Sequence, residues 1–442
     1  MSNFFETICA IATPLASGGI GIIRISGEDA YNIAQKMFNK KIEPNKINHG
    51  WVVFEDEKID EVVALYFKNP KSYTGEDVIE FQTHGSPVVI KRILNIVMSL
   101  GARLADKGEF TKRAFINGKM DLSEAEAVLD LINSKSIKSA SASASNLSGA
   151  LSKKINEIKD KIIEIMAKIT ASLDFPEDVK EVPYEDIINT IEPIKLEIEK
   201  ILKNASNHNI LREGIKIAVA GRPNVGKSSL FNALLNLDRA IVTDIAGTTR
   251  DIITESFELN GIIATLIDTA GIRENDDIDK VEKIGINQAK TAIEDADIVL
   301  LLYDGSVGIK KEDEEIFELA KGKKIIYVST KSDIENCEEK IGLQISSKTG
   351  ENIEKLKEII YNNVIETNID STDFTTNHRQ QESLKNALAY LNNALDAAKR
   401  EELQDLISID IKSALISLGE ITGEVLNDEI LNSIFDKFCI GK

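Results

Sequence analysis

No apolar run in this chain approaches the ~18 consecutive residues that a membrane helix needs; the densest, Ala296 to Tyr303, has the length of a buried parallel strand. A membrane-spanning helix is thereby excluded. The start, Met1-Ser-Asn-Phe-Phe-Glu6, lacks the basic opening and cleavage site of a secretory signal and the Arg-rich bias of an organellar presequence. The expectation is a cytoplasmic protein of bacterial type. Cysteine is scarce: Cys9, Cys337 and Cys439 are odd in number, far apart and form no Cys-x-x-Cys pair, which excludes a disulfide framework or zinc knuckle. Four histidines, at 49, 84, 208 and 378, include no i,i+4 pair, so a histidine-based metal site is not expected. Positive charge is also short. A net charge of -19 argues against a nucleic-acid binder held by bulk electrostatics, which needs Lys and Arg to displace counterions. The deficit is uneven, because residues 1–120 carry 15 Lys and Arg against 14 Asp and Glu. An anionic partner would prefer that third, where Lys107, Lys112, Arg113 and Lys119 read as a cationic cluster or simply a solvated face.

What is present is a set of nucleotide motifs in order. The apolar run Ile215–Ala220 leads into Gly221-Arg-Pro-Asn-Val-Gly-Lys-Ser228, followed by Gly247-Thr-Thr-Arg-Asp251, Asp268-Thr-Ala-Gly271, Thr330-Lys-Ser-Asp333 and Ser346-Ser-Lys348. Strand, glycine-rich turn and helix start together cradle a phosphate on backbone N–H groups and a helix dipole. Candidate nucleotide contacts are Asn224, Val225, Gly226, Lys227, Ser228 and Ser229 in the phosphate loop, then Thr243, Asp244, Ile245, Ala246, Gly247, Thr248 and Thr249 in a switch loop. Asp268, Thr269, Ala270 and Gly271 follow, and Thr330, Lys331, Ser332, Asp333, Ser346, Ser347 and Lys348 would face the base. Lys227 would reach the terminal phosphates, Ser228 and Thr249 would ligate Mg²⁺, and Asp268 would hold it through water. Asp333 can accept paired bonds from guanine N1 and N2, which points to GTP. Two positions depart from the familiar small-GTPase pattern: Ile272 stands where a glutamine would orient water, and Thr330 where the base motif usually has Asn.

Along the chain, 442 residues and 43% apolar content suggest about three domains with ordinary cores. Residues 1–120 read as α+β: strands at Ile20–Ile25, Trp51–Phe54, Val62–Phe67 and Val78–Gln82, with helices near Ala30–Phe38 and Pro87–Leu100. Asp121-Leu-Ser-Glu124 is a capping-box pattern that opens a helical region. Ser139–Ser145 is an Ala/Ser alternation that reads either as a flexible linker or as helix. Because Leu147, Leu151, Ile155, Ile158, Ile162, Ile165 and Ile169 form one apolar stripe, a single extended helix that breaks at Asp174-Phe-Pro176 is the favoured expectation. A further helix spans Ile187–Leu202, and polar Asn204–Asn209 reads as a boundary. From Ile215, strands at Ile215–Ala220, Ala264–Ile267, Asp297–Tyr303, Lys324–Ser329 and Leu343–Ile345 alternate with helices, implying a parallel sheet with both faces covered. After polar Thr367–Thr376, helical spacing returns from Leu384 to Leu418. The economical architecture is a helical domain of residues 121–212 and 367–442 with a nucleotide domain, 213–366, inserted into it.

With Asn224 in the phosphate loop, Gly-Thr-Thr-Arg-Asp in the switch, Ala12-Thr-Pro14 followed by Gly19-Ile-Gly-Ile-Ile-Arg-Ile-Ser26, and Phe438-Cys-Ile-Gly-Lys442, the full length resembles the MnmE (TrmE) family of tRNA modification GTPases. The resemblance implies a multidomain α+β and α/β protein: an N-terminal folate-binding-like α+β domain, a discontinuous all-α helical domain and an inserted Ras-like P-loop GTPase domain. It also implies a homodimer working as a heterotetramer with the FAD-containing, NADH-using MnmG protein. Together they place aminomethyl or carboxymethylaminomethyl groups on C5 of the wobble uridine of certain tRNAs, with a reduced folate (5-formyl- or 5,10-methylene-tetrahydrofolate) as one-carbon source. By motif, Arg24, Glu80, Lys119 and Lys442 would be folate ligands; otherwise Arg24 and Lys119 read as surface charges. Family members use K⁺ to assist hydrolysis, which would answer the missing glutamine: Asn224 offers a side-chain carbonyl, and Thr243, Ile245 and Thr248 their backbone oxygens. Glu282 matches the family's catalytic glutamate, although by itself it reads as an exposed helix charge. Cys439 matches a thiol the family needs for modification, where a free cysteine would otherwise read as a small buried apolar residue. Two further readings stand beside this one. A ribosome-assembly GTPase would need an RNA module such as a Gly-x-x-Gly loop or a basic face, and the acidic C-terminal two thirds supplies neither. A GTP-controlled scaffold would not bind reduced folate.

Overall fold

The computed structural model describes residues 6–237, 254–268, 290–334, 341–364, 374–425 and 428–442. The chain forms two compact units. One comprises Met1–Leu129, Ser152–Ala167 and Ser408–Lys442, the other Asp130–Leu151 and Lys168–Ile407. No helix among the described residues is long and apolar enough to cross a membrane.

The first unit is built on six strands: β1 (Ile8–Ile11), β2 (Gly18–Ser26), β3 (Ile47–Phe54), β4 (Glu57–Phe67), β5 (Val78–Gly85) and β6 (Arg103–Leu104), in the order β3-β4-β5-β2-β1-β6. Only the β1–β6 pair is parallel. Side chains alternate across a strand, so Ile23, Ile25, Ile79 and Phe81 enter one core, covered by helices Ala30–Met37 and Pro87–Ser99. Arg24 and Glu80, one residue out of step and directly opposite each other in the β2–β5 register, fall on the other face. There Ile8, Ala10, Ala105 and Phe110 make a smaller cluster with Tyr73 packed against it. Strand β1 was not among the expected strands; four residues carry too little pattern to be read as one.

The second unit holds β7 (Ile215–Ala220), β8 (Thr254–Leu259), β9 (Ile262–Asp268), β10 (Ile298–Asp304), β11 (Lys324–Thr330) and β12 (Leu343–Gln344), in the order β12-β11-β10-β7-β9-β8. Both faces are covered: Ile217, Val219, Leu300 and Leu302 enter one core, and Ala218, Ala220, Val299 and Leu301 the other. The pairing is parallel except at one edge, where β8 runs antiparallel to β9 and corrects the all-parallel expectation.

The helical segments bring two more corrections. The capping box at Asp121 forms, with Asp121 Oδ1 accepting from the Glu124 N–H at 2.9 Å and Glu124 Oε2 from the Asp121 N–H at 2.7 Å. The expected single long helix is two, Ile137–Leu147 and Ala150–Asp174, separated at Gly149, whose φ of +87° is the left-handed turn that favours glycine. The stripe from Leu151 to Ile169 is buried along the second helix, which ends at the expected break. The polar boundary at Asn204–Asn209 lies mostly within a helix, Ala205–Glu213. Buried Leu211 and an Arg212–Asp130 ion pair at 2.7 Å tie that helix down. It stops at Gly214, where a Cβ would lie 2.5 Å from the Ile263 carbonyl oxygen.

Candidate functional site

Strand β7 ends at the phosphate loop. A Cβ on Gly221 would stand 2.4 Å from the Leu302 carbonyl oxygen, so only glycine lets the chain leave the sheet there. Asn224 takes a φ of +63° and Gly226 of +101°, which curls the loop before the helix Lys227–Leu237 begins. Lys227 is buried, and its Nζ donates to the carbonyls of Gly221 at 2.7 Å and Arg222 at 2.9 Å, so the ammonium sits inside the loop it is expected to serve. Ser228 and Ser229 are exposed in the first turn of that helix.

The structure brings together, at the ends of β11 and β12, the two segments expected to face the base. Asp333 Oδ1 accepts from the buried Ser346 hydroxyl at 2.8 Å, and that bond holds its carboxyl below the ordinary aspartate value. The Ser332 N–H donates to the Ile345 carbonyl. Thr330 is buried, and its hydroxyl reaches the Val225 carbonyl at 2.6 Å, joining the base segment to the phosphate loop. Lys331 Nζ pairs with Asp304 Oδ2 at 2.6 Å. Burial alone would raise the Asp304 carboxyl, but Lys331 and Ser306 outweigh it and hold it down. Asp304, at the end of β10, was missed because it belongs to none of the motifs; a carboxylate closing a fully buried apolar strand is the signal that could have found it. Also missed was Asp313, fully buried, which accepts from Arg222 Nε at 2.7 Å and anchors the phosphate loop from a second helix, Lys311–Leu319. The expected switch residues Thr243, Asp244, Ile245, Ala246, Gly247, Thr248 and Thr249, and Thr269, Ala270, Gly271, Ile272 and Glu282, lie outside the described residues.

In the first unit, Arg24 Nε donates to Glu80 Oε1 at 2.7 Å. Its guanidinium carbon lies 5.3 Å from the centre of the Tyr73 ring and 5.5 Å from that of Phe110, so two aromatic faces hold it. Burial pushes the Tyr73 phenol up, and its hydroxyl meets that of Thr111 at 2.8 Å. The tail joins here. The Phe110 N–H donates to the Lys442 backbone oxygen at 3.1 Å, the Gly108 N–H to the Cys439 carbonyl at 3.4 Å, and Lys107 bridges Ile440. Gly441 packs so closely on β1 that a Cβ would stand 2.3 Å from the Ile11 carbonyl oxygen. Cys439 itself is exposed. Lys119 Nζ donates to the Pro70 carbonyl at 3.0 Å, and its stem flanks Gly75 in the Tyr73–Glu76 loop. Arg24 and Glu80 thus touch directly, while Lys442 and Lys119 approach through Phe110 and that loop.

The cationic cluster is corrected at Arg113. Its side chain is 2% exposed and pairs with Glu76 at 3.1 Å and Glu109 at 2.9 Å, so its charge is spent internally. Tyr73 and Phe110 were not singled out; Tyr73 opens the segment Tyr73-Thr-Gly-Glu-Asp-Val-Ile-Glu80 that ends in Glu80, but nothing local marks a ring as a guanidinium rest.

A family model described as the MnmE helical domain matches residues 122–439, and one described as the GTP-binding protein TrmE N-terminus matches residues 7–119. The chain belongs to the MnmE (TrmE) family. Its relatives include the tRNA modification GTPase MnmE of Thermotoga sp. (strain RQ2), 43% identical over 453 residues that cover 99% of this chain and all of the relative. That of Thermoanaerobacter pseudethanolicus is 42% identical over 460 residues, with 99% of this chain and all of the relative covered. That of Clostridioides difficile is 42% identical over 457 residues, covering 99% of each. Both parts of the MnmE match fall on observed structure: the TrmE segment on the strands β1–β6, and the MnmE helical segment on the helices together with the sheet β7–β12 they flank in sequence.

Proposed function

We propose that this chain is a GTP hydrolase of tRNA modification. It acts in the cytoplasm as a homodimer with an MnmG-type flavoprotein and places a (carboxymethyl)aminomethyl group on C5 of the wobble uridine. Kinship over 99% of its length to proteins named tRNA modification GTPases carries the reading. We assign residues 1–120 to the folate domain, 121–212 and 367–442 to the helical domain, and 213–366 to the GTPase domain.

The residues fit the groups this chemistry needs. Lys227, at the centre of a loop of turned N–H groups, would hold the terminal phosphates, and the exposed Ser228 hydroxyl would hold Mg²⁺, which neutralises developing charge. Asn224 carries an exposed amide with no hydrogen-bond partner among the described residues, so its carbonyl is available to K⁺, with Thr243, Ile245 and Thr248 completing the ligand set. A cation there supplies the charge an arginine finger supplies elsewhere. Asp333, fixed by Ser346, would read guanine N1 and N2, and Glu282 would help place the attacking water. On the folate side, Arg24 is fixed by Glu80 and two rings through Nε and its π-face, which leaves both terminal nitrogens to meet an anionic or acceptor edge. Glu80 would read pterin N–H groups, Lys119 and Lys442 would hold the glutamate tail, and Cys439 would act on the uridine side.

Nucleoside mass spectrometry of tRNA from cells lacking the gene tests the reading. The C5-substituted wobble uridine should vanish and return with the wild-type gene; an unchanged nucleoside profile would refute it.

A further inference from the structure

Thr330 closes β11 with its side chain 2% exposed, and its hydroxyl lies between two acceptors, the Val225 carbonyl at 2.6 Å and the Tyr303 carbonyl at 3.1 Å. A hydroxyl has one proton. Both neighbours only accept, so that proton is committed inside the protein, mainly to Val225 in the phosphate loop. An asparagine amide carries two protons and could hold Val225 with one while offering the other to a ligand. Threonine therefore keeps the tether between base segment and phosphate loop but has no donor left over.

The consequence falls on one atom of the base. Guanine presents N1–H and N2–H, which suit Asp333, and two acceptors, O6 and N7. The N–H groups of Ser347 and Lys348 have no hydrogen-bond partner among the described residues and follow directly after Ser346, the partner of Asp333, so they can meet O6. Lys331, the neighbouring cation, is held by Asp304. We infer that Thr330 is a specificity-determining residue through what it withholds: N7 goes unread, and purine selection rests on the N1, N2 and O6 edge alone. This inference rests on the guanine-nucleotide reading above and adds which edge of the base carries it.

Equilibrium competition against a fluorescent N-methylanthraniloyl-GDP, using the full chain, tests it with GDP, 7-deaza-GDP and ADP as competitors. 7-Deaza-GDP replaces N7 by a C–H and leaves the other edge intact. The wild type should bind GDP and 7-deaza-GDP equally and both far better than ADP. Thr330→Asn should gain a preference for GDP over 7-deaza-GDP of about three- to tenfold, the worth of one ordinary hydrogen bond. Thr330→Val, which loses the tether, should weaken GDP and 7-deaza-GDP by the same factor. A threefold or larger preference for GDP in the wild type would overturn the inference even if the variants failed to fold. So would a Thr330→Asn protein that binds the two alike. ADP binding as well as GDP would instead overturn the guanine reading itself, and the inference with it.

Discussion

Arg113 shows how much of the first unit depends on single charges. Its guanidinium is almost wholly buried, bonded to Glu76, Glu109 and the Glu6 carbonyl, while Glu109 also receives Arg103 at 2.6 Å. Ser26 donates to Glu76 and Asn117 to the Thr74 carbonyl, so these charges clamp the loop that carries Tyr73 against Arg24. Removing one partner of a buried ion pair leaves the other uncompensated, a loss of about 3 kcal/mol. Burial alone would raise the Glu109 carboxyl, but Arg103, the Asp106 N–H and Arg113 overcome it and hold it below the ordinary value of 4.5. A depressed carboxylate stabilises the fold above its unfolded value and loses that contribution as pH falls through the folded one. Glu109→Gln should therefore destabilise the unit by about 3 kcal/mol at pH 7, with the gap to wild type closing below pH 4.5. Urea unfolding followed by fluorescence of Trp51, the single tryptophan, which lies in β3, measures it. A gap that stayed constant down to pH 3 would show that the charge is not the cause. Little of this was legible in the sequence. The i,i+4 spacing of Glu109 and Arg113 was visible, but Lys107, Lys112 and Lys119 around it made a surface patch the simpler reading, and Glu76 is a distant residue that only the fold brings close. Cys439 is the opposite case, because its motif made it conspicuous and the structure leaves it exposed. Cys439→Ser should keep GTP hydrolysis and abolish the modified uridine, and product persisting in tRNA digests would remove the thiol from the chemistry.

Elements with strong periodic patterns were legible, and those defined by one turn residue were not. The strands β7, β10 and β11 came within a residue of their expected bounds because fully buried runs bounded by glycine or charge leave little choice. Strand β8 was missed even though Asn260 and Gly261, both at positive φ, form the Asn-Gly pair that favours a tight hairpin. The tail Phe438–Lys442 is an element of the same kind. It has no helix or strand of its own, and its course is set by Phe438 in the core, the Lys107–Ile440 bridge and the closeness of Gly441 to Ile11. Gly441 has a φ of +100°, so alanine there meets both backbone strain and a carbonyl oxygen at 2.3 Å. Gly441→Ala should lift the tail and move Cys439. Misplacing a reacting group by about 1 Å can cost a hundredfold in rate, so uridine modification should fall by tenfold or more. GTP turnover, built on the other unit's phosphate loop, should stay within about twofold of wild type. Ile440→Ala, at an exposed position, is the matched control and should modify tRNA normally. Equal modification by the two variants, assayed with purified partner and tRNA, would show that the tail needs no fixed course.

At the scale of the whole molecule, Ser408–Lys442 falls in the same compact unit as Met1–Leu129 and Ser152–Ala167, so the last helices and the tail Phe438–Lys442 that follows them close onto the N-terminal fold. That closure could not be read from periodicity, which sees neighbours along the chain; the resemblance of the terminal motifs to a known family suggested it. Hydrolysis poses the corresponding question for the other unit. Ile272 cannot orient water, and in its place we propose the exposed Asn224 amide, which has no hydrogen-bond partner among the described residues, as a cation ligand. An oxygen cage that replaces a hydration shell suits a large, weakly hydrated ion better than a small, strongly hydrated one. KCl should therefore accelerate GTP turnover where NaCl at equal ionic strength does not, and Asn224→Ala should remove the difference. If the cage closes only when two nucleotide domains meet, turnover per molecule in KCl should also rise with protein concentration until the pairing saturates, and remain flat in NaCl. Equal rates in the two salts would dismiss the cation as the substitute for glutamine. A potassium effect that is independent of concentration down to the nanomolar range would instead keep the cation and dismiss the pairing.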